Sequence, residues 1–142
     1  MSEEEKSQEN LETIIVAEDS PPNRKILVHL LEKMGYTVES CEDGQMAWER
    51  IQSGELENVV AILSDIMMPN LDGIQLLKKI RSDEKFGDLP FVLITAVSDR
   101  EYIIEAKEHK VNGYILKPVT FQRVTGKLKE IFPNKNFDRA AA

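Results

Sequence analysis

The stretch Val59-Val60-Ala61-Ile62-Leu63-Ser64-Asp65-Ile66-Met67-Met68-Pro69-Asn70-Leu71-Asp72-Gly73 decides the fold. Its first part is a continuous apolar run, as expected of a parallel strand covered on both faces. The run closes on a carboxylate, and a loop punctuated by proline and glycine follows. Burying a charge is costly unless it is paired or liganded. Asp65 therefore reads as a reactive carboxylate held at the rim of a sheet.

Working outward, strands and helices alternate. Upstream, Thr13-Ile14-Ile15-Val16-Ala17 is a strand that stops at Glu18-Asp19. Ser20 is placed to cap a helix whose first turn tolerates Pro21 and Pro22. Ile26, Leu27, Leu30, Leu31 and Met34 then recur at helical spacing, and Gly35 closes the helix. Tyr36 to Cys41 is a short strand, followed by a helix from about Asp43 to Ser53 with Met46, Ala47 and Ile51 inward. Downstream, Asp72 reads as a turn residue before Gly73, and Ile74, Leu77 and Ile80 mark the next helix. Pro90 to Ile94 is a fourth strand ending at Thr95, and Ser98-Asp99-Arg100-Glu101 fits a capping box that opens a fourth helix. Gly113 to Leu116 is a fifth strand before Lys117-Pro118, and Thr120 to Phe132 is the last helix. Five such units predict an α/β fold, a parallel sheet with helices on both faces.

The bulk properties narrow the function. With 142 residues, 42% hydrophobic and 30% charged, one domain is expected. It should span residues 12–132, after a disordered acidic lead-in at 1–11 and before a short tail at 133–142. A net charge of -7 argues against nucleic-acid binding. Cys41 is the single cysteine, which rules out an internal disulfide and a cysteine-rich zinc site. No apolar stretch approaches a membrane span, and Met1-Ser2-Glu3-Glu4-Glu5 is no signal n-region, so a cytoplasmic location is expected.

The strand ends carry the chemistry. In open parallel α/β sheets, ligands bind outside the carboxyl ends of the strands. Those ends bear Glu18 and Asp19, then Asp65, Thr95 and Lys117. Crowded carboxylates repel one another unless a cation sits among them. Mg²⁺ is the natural choice, because it takes carboxylate, carbonyl and water oxygens. Lys117 adds a point charge suited to a phosphate-like anion, and Thr95 adds a hydroxyl donor. Such a pocket is suited to receive a phosphoryl group on Asp65 as an acyl phosphate.

At Glu18-Asp19, Ser64–Gly73, Ile94-Thr95-Ala96 and Gly113–Pro118 the chain resembles the receiver domain of two-component response regulators. The likeness is closest to the stand-alone, chemotaxis (CheY-like) type and covers roughly residues 12–132. It implies a doubly wound, flavodoxin-like sheet of order 2-1-3-4-5 with five helices. It also implies that Asp65 accepts a phosphoryl group from a histidine kinase or a histidine phosphotransfer protein. Asp19 would ligate Mg²⁺ directly, Glu18 mainly through water, and the backbone carbonyl of Met67 would complete the protein ligands. Thr95 and Lys117 would contact the phosphoryl oxygens, and Tyr114 would turn inward as Thr95 moves. A partner would read the face made by the fourth helix, fifth strand and fifth helix. The protein is expected to be a monomer, with dimerisation on phosphorylation left open.

Two positions depart from the chemotaxis pattern. Met67, two after Asp65, and Val97, two after Thr95, are apolar where polar side chains in the family can orient the water that attacks the acyl phosphate. A slow loss of phosphate is expected.

Several competing readings stay open on the sequence alone. In isolation, Glu18-Asp19 fits helix N-terminal acids favoured by the dipole, Thr95 a strand-end cap, and Tyr114 simple packing. His29, His109, Cys41 and Trp48 read as structural. A Mg²⁺-dependent phosphohydrolase with an aspartyl nucleophile is the enzymatic alternative. It is disfavoured because the candidate nucleophile lies on the third strand, Met67 stands where that class has a second Asp, and no cap is present. A degenerate receiver acting as a constitutive binding module is disfavoured by the intact set of Glu18, Asp19, Asp65, Thr95 and Lys117. The receiver fragment of a larger regulator would show the same residues.

Overall fold

Five parallel strands form a single sheet in the order β2-β1-β3-β4-β5 in the computed structural model, which describes residues 11–135. They are β1 (Thr13–Ala17), β2 (Thr37–Cys41), β3 (Val59–Asp65), β4 (Phe91–Thr95) and β5 (Gly113–Leu116). The helices between and after them are α1 (Pro21–Lys33), α2 (Gly44–Gln52), α3 (Gly73–Arg81), α4 (Arg100–Glu108) and α5 (Phe121–Ile131). This is the predicted doubly wound α/β topology. The start of the acidic lead-in and the end of the C-terminal tail lie outside the described residues.

Strand side chains alternate between two cores because successive residues point to opposite faces. Ile15, Ala17, Ile62, Phe91 and Leu93 face one core, shared with Ala47 and Ile51 of α2 and Leu76, Leu77 and Ile80 of α3. Ile14, Val16, Leu63, Val92 and Ile94 face the other, shared with Leu27 and Leu31 of α1 and Val124 and Leu128 of α5. Every residue of β4 is buried, as a strand covered on both faces requires. Among the described residues no helix is long and apolar enough to cross a membrane.

Register brings the polar strand ends together. Ala17 pairs with Ser64, so Glu18 emerges beside Asp65. Thr95 pairs with Leu116, so Lys117 emerges beside Thr95. The strand order reverses between β1 and β3, and these residues gather around that switch point.

Several local expectations are corrected. Ser20 occupies the N-cap of α1 but makes no side-chain cap; its N–H donates to Glu18 Oε1 at 3.2 Å. Asp72 is more than a turn residue. It caps α3, accepting from Gln75 N at 2.8 Å while the Gln75 side chain accepts from Asp72 N at 3.0 Å. The Ser98–Glu101 capping box does not form: a 3-10 turn covers Val97–Asp99 and α4 begins at Arg100. Asp99 carries the interaction instead, its carboxylate accepting from Ala96 N at 2.8 Å. Ile26, at helical spacing with the core residues of α1, is 46% exposed because the buried face of that helix is narrower than its apolar stripe.

Candidate functional site

Asp65 sits at the last position of β3 and is 4% exposed. Both its oxygens are engaged: Oδ1 accepts from the N–H of Ile66 at 2.8 Å, and Oδ2 accepts from Lys117 Nζ at 3.0 Å. The turn behind it is held by glycine. Gly73 N–H donates to the Ile66 carbonyl at 2.8 Å, and a Cβ on Gly73 would stand 2.2 Å from the Asp65 carbonyl oxygen. That close approach, rather than a special φ, is why the loop after β3 ends on glycine.

Glu18, Asp19 and Asp65 form an acidic cluster, each offering a carboxylate oxygen within 4.8 Å of the others. Asp19 is exposed, while Glu18 is 1% exposed. The Glu18 backbone is tied on both sides: its N–H donates to the Cys41 carbonyl at 3.1 Å, and its carbonyl accepts from Arg24 Nη1 at 2.7 Å. Among the described residues its Oε2 is buried with no hydrogen-bond partner. Burial, with the Asp65 carboxylate beside it, pushes the Glu18 carboxyl up to about 7; Lys117 and the Ser20 N–H oppose that shift more weakly. Burial works against the charge on Lys117 too, but Asp65, with Glu18 and Asp99 behind it, outweighs burial and raises the ammonium above its ordinary value.

This arrangement fits a hard divalent cation. Three carboxylates share one small volume, and a buried carboxylate oxygen there lacks a partner. The lysine satisfies one oxygen of Asp65 and leaves Glu18 Oε2 unsatisfied. Oxygen donors of this kind suit Mg²⁺. Met67 lies in the loop just beyond Asp65, and its side chain is 54% exposed.

Thr95 is 2% exposed at the end of β4, and its hydroxyl donates to the Ala96 carbonyl at 2.8 Å. Tyr114 on β5 is 46% exposed, with Lys127 Nζ 5.9 Å from its ring centroid. Between Thr95 and Tyr114 runs a surface groove of about 480 Å³, lined also by Ile103, Ile104, Lys107 and Leu116. Two residues read as structural from the sequence are packed accordingly. Cys41 is buried in the core with its thiol pushed up to about 12 by burial, and Trp48 packs on the core with Lys79 5.4 Å above its ring. Asp99 accepts from Ala96 N beside Thr95, Arg24 donates to the Glu18 carbonyl, and Asp43 accepts from Asn70 in the loop after Asp65, although nothing in the sequence marks them as site residues. Asp99 sits inside what reads as a capping box, and the other two act through contacts that no local pattern reveals.

A doubly wound sheet thus carries an acidic cluster and a lysine at its switch point, where ligands of such sheets bind. The chain belongs to the response regulator receiver domain family, whose pattern matches residues 14–129. It is 40% identical over 120 residues to the chemotaxis protein CheY-3 of Vibrio cholerae, covering 84% of this chain and 90% of that protein. It is 36% identical over 124 residues to the chemotaxis protein CheY of Pseudomonas aeruginosa, covering 87% of this chain and 98% of that protein. A solved structure of a putative response regulator from Chloroflexus aurantiacus superposes with a TM-score of 0.79 at 26% identity, covering 88% of this chain and 100% of that one.

Proposed function

We propose that this receiver accepts a phosphoryl group on Asp65 from a phosphohistidine of a histidine kinase or a histidine phosphotransfer protein, in a Mg²⁺-dependent reaction. The P–N bond of the donor breaks as a P–O bond forms to the Asp65 carboxylate. The observation that carries the reading is the buried Asp65, with Lys117 at 3.0 Å and Glu18 and Asp19 within 4.8 Å. Asp19, Asp65 and the Met67 carbonyl are the proposed direct Mg²⁺ ligands, with Glu18 acting mainly through water. Bound there, Mg²⁺ would offset the negative charge on the transferring group. Lys117 holds one oxygen of Asp65 before transfer and would hold a phosphoryl oxygen after it.

The same geometry supports a switch. The Thr95 hydroxyl is donated to the Ala96 carbonyl. A phosphoryl oxygen on Asp65 would compete for that proton and draw Thr95 inward. Space vacated by Thr95 would be filled by Tyr114, changing the face of α4, β5 and α5 that a partner reads. The reading extends to a cytoplasmic chemotaxis-type or phosphorelay regulator that loses its phosphate slowly by its own hydrolysis.

Beryllofluoride with Mg²⁺ tests this, with the Tyr114 ring environment followed by NMR. The expected result is a Mg²⁺-dependent inward shift of Tyr114 that is absent in Asp65→Asn. Steady turnover of free phosphate esters, or a response unchanged in Asp65→Asn, would overturn the assignment.

A further inference from the structure

The β2–α2 turn touches both halves of the acidic site. On one side the Cys41 carbonyl accepts from the N–H of Glu18 at 3.1 Å. On the other, Gly44 N–H donates to the Leu71 carbonyl at 3.2 Å, and a Cβ on Gly44 would stand 2.3 Å from that oxygen. Between them, Asp43 divides its two oxygens. Oδ1 caps α2 by accepting from Met46 N at 2.8 Å, and Oδ2 accepts from Asn70 Nδ2 at 2.7 Å. Asn70 is held at φ 68, a left-handed conformation that asparagine tolerates better than most residues. The Leu71 side chain is anchored in the core, and Leu71 N–H closes a tight turn on the Pro69 carbonyl at 2.7 Å.

We infer that Asp43, through Asn70, is a positioning residue for the metal site. The Cys41–Gly44 turn fixes the distance between the Glu18-Asp19 pair and the loop that carries Met67. The inference rests on the proposed Mg²⁺ site, and it assigns a role to residues outside the acidic cluster. A link of this kind acts on affinity because metal binding needs both donor groups held in place before the ion arrives; groups that orient ligands typically change metal affinity by roughly ten- to a hundredfold. The Asp43–Asn70 bond is solvent-exposed, so its effect should fall at or below the lower end of that range.

The test uses the full chain and substitutions that separate capping from clamping. Asp43→Ser keeps a hydroxyl to cap Met46 N but loses the second acceptor. Asn70→Gly keeps the left-handed backbone and loses the donor. Each should weaken Mg²⁺ binding by roughly three- to tenfold in calorimetric titration, and the double variant should be no weaker than the worse single one. Asp43→Asn, which can cap Met46 and still bond a flipped Asn70 amide, should restore affinity to within about twofold. In metal-free protein, hydrogen exchange at the Leu71 and Gly73 amides should quicken in both single variants. Unchanged Mg²⁺ affinity in both single variants, or unchanged amide exchange, overturns the inference. If Asp65→Asn leaves Mg²⁺ affinity intact, the metal reading fails instead, and the exchange measurement still decides whether the clamp exists.

Discussion

Lys117 Nζ lies 3.0 Å from Asp65 Oδ2 across the switch point of the sheet, with the lysine side chain 31% and the aspartate 5% exposed. A lysine so placed does two opposing things. It stabilises a carboxylate that would otherwise be buried and unpaired, and it competes with any cation for the same oxygen. Lys117→Ala should therefore lower metal-free stability at neutral pH, by about 1–2 kcal/mol once solvent screening at the part-exposed lysine is allowed for. It should also tighten Mg²⁺ binding, by roughly tenfold. Chemical denaturation and calorimetric Mg²⁺ titration check the two halves. Weaker Mg²⁺ binding in the variant would contradict this account of the pair.

Glu18 makes the metal-free protein sensitive to pH. Its carboxyl is raised from an ordinary 4.5 to about 7, chiefly by burial and then by Asp65. A raised folded-state pKa favours the protonated form in the native protein. Its stabilising contribution is complete below 4.5 and is lost as pH rises to about 7. The full span corresponds to on the order of 3 kcal/mol. Glu18→Gln should remove that decline, so that relative to wild type the variant gains stability between pH 5 and pH 8. Saturating Mg²⁺ should reverse the trend in wild type, because a cation favours the charged carboxylate. Thermal unfolding at pH 5 and pH 8, with and without Mg²⁺, measures both effects.

Three glycines should respond to alanine according to what each would meet. At Gly73 a Cβ would fall 2.2 Å from the Asp65 carbonyl oxygen, and at Gly44 2.3 Å from the Leu71 carbonyl oxygen. Neither backbone can yield without moving the site, so each substitution should destabilise by about 2 kcal/mol or more and weaken Mg²⁺ binding. Gly126 lies inside α5 with open space around it. Gly126→Ala should instead stabilise by roughly 0.5–1 kcal/mol and leave Mg²⁺ binding alone. Urea unfolding of the three variants distinguishes the cases.

What the sequence makes legible here follows from how local each signal is. The apolar runs of β3 and β4 and the polar residues that end the strands announce a parallel sheet and its functional rim without any tertiary knowledge. Glu18 and Asp65 stand out because a charge at the end of a buried strand is costly unless a partner or ligand meets it, whereas Lys117 ends a strand that is only partly buried. Caps are harder to read. Ser98–Glu101 has the spacing of a capping box, yet the buried Asp99 carboxylate turns back to Ala96 N and delays the helix. The Asp43–Asn70 bond joins residues 27 apart in the chain, so neither neighbour's local pattern discloses it. Ile26 misleads in the opposite direction, because an apolar stripe on a helix can be wider than the face it buries.

Met67 bears on the lifetime of the signal. It stands two residues after Asp65 and is 54% exposed, at the position from which polar side chains in the receiver family can orient the water that attacks the acyl phosphate. A thioether would offer that water only a weak acceptor, so hydrolysis should be slow. Met67→Asn supplies an amide that can bind and orient the water, and should shorten the lifetime of phosphorylated Asp65 by roughly three- to tenfold, equivalent to about 1 kcal/mol of barrier. Val97 holds the corresponding position after Thr95, with its side chain outside those described, and Val97→Glu is the matching substitution there. That variant should act in the same direction, and the pair together should exceed either one. Single-turnover loss of radiolabelled phosphate in excess Mg²⁺, after removal of the donor, gives the rates directly. Equal lifetimes in wild type and Met67→Asn would show that access of water is governed elsewhere, with Lys117 and Thr95 the next residues to vary.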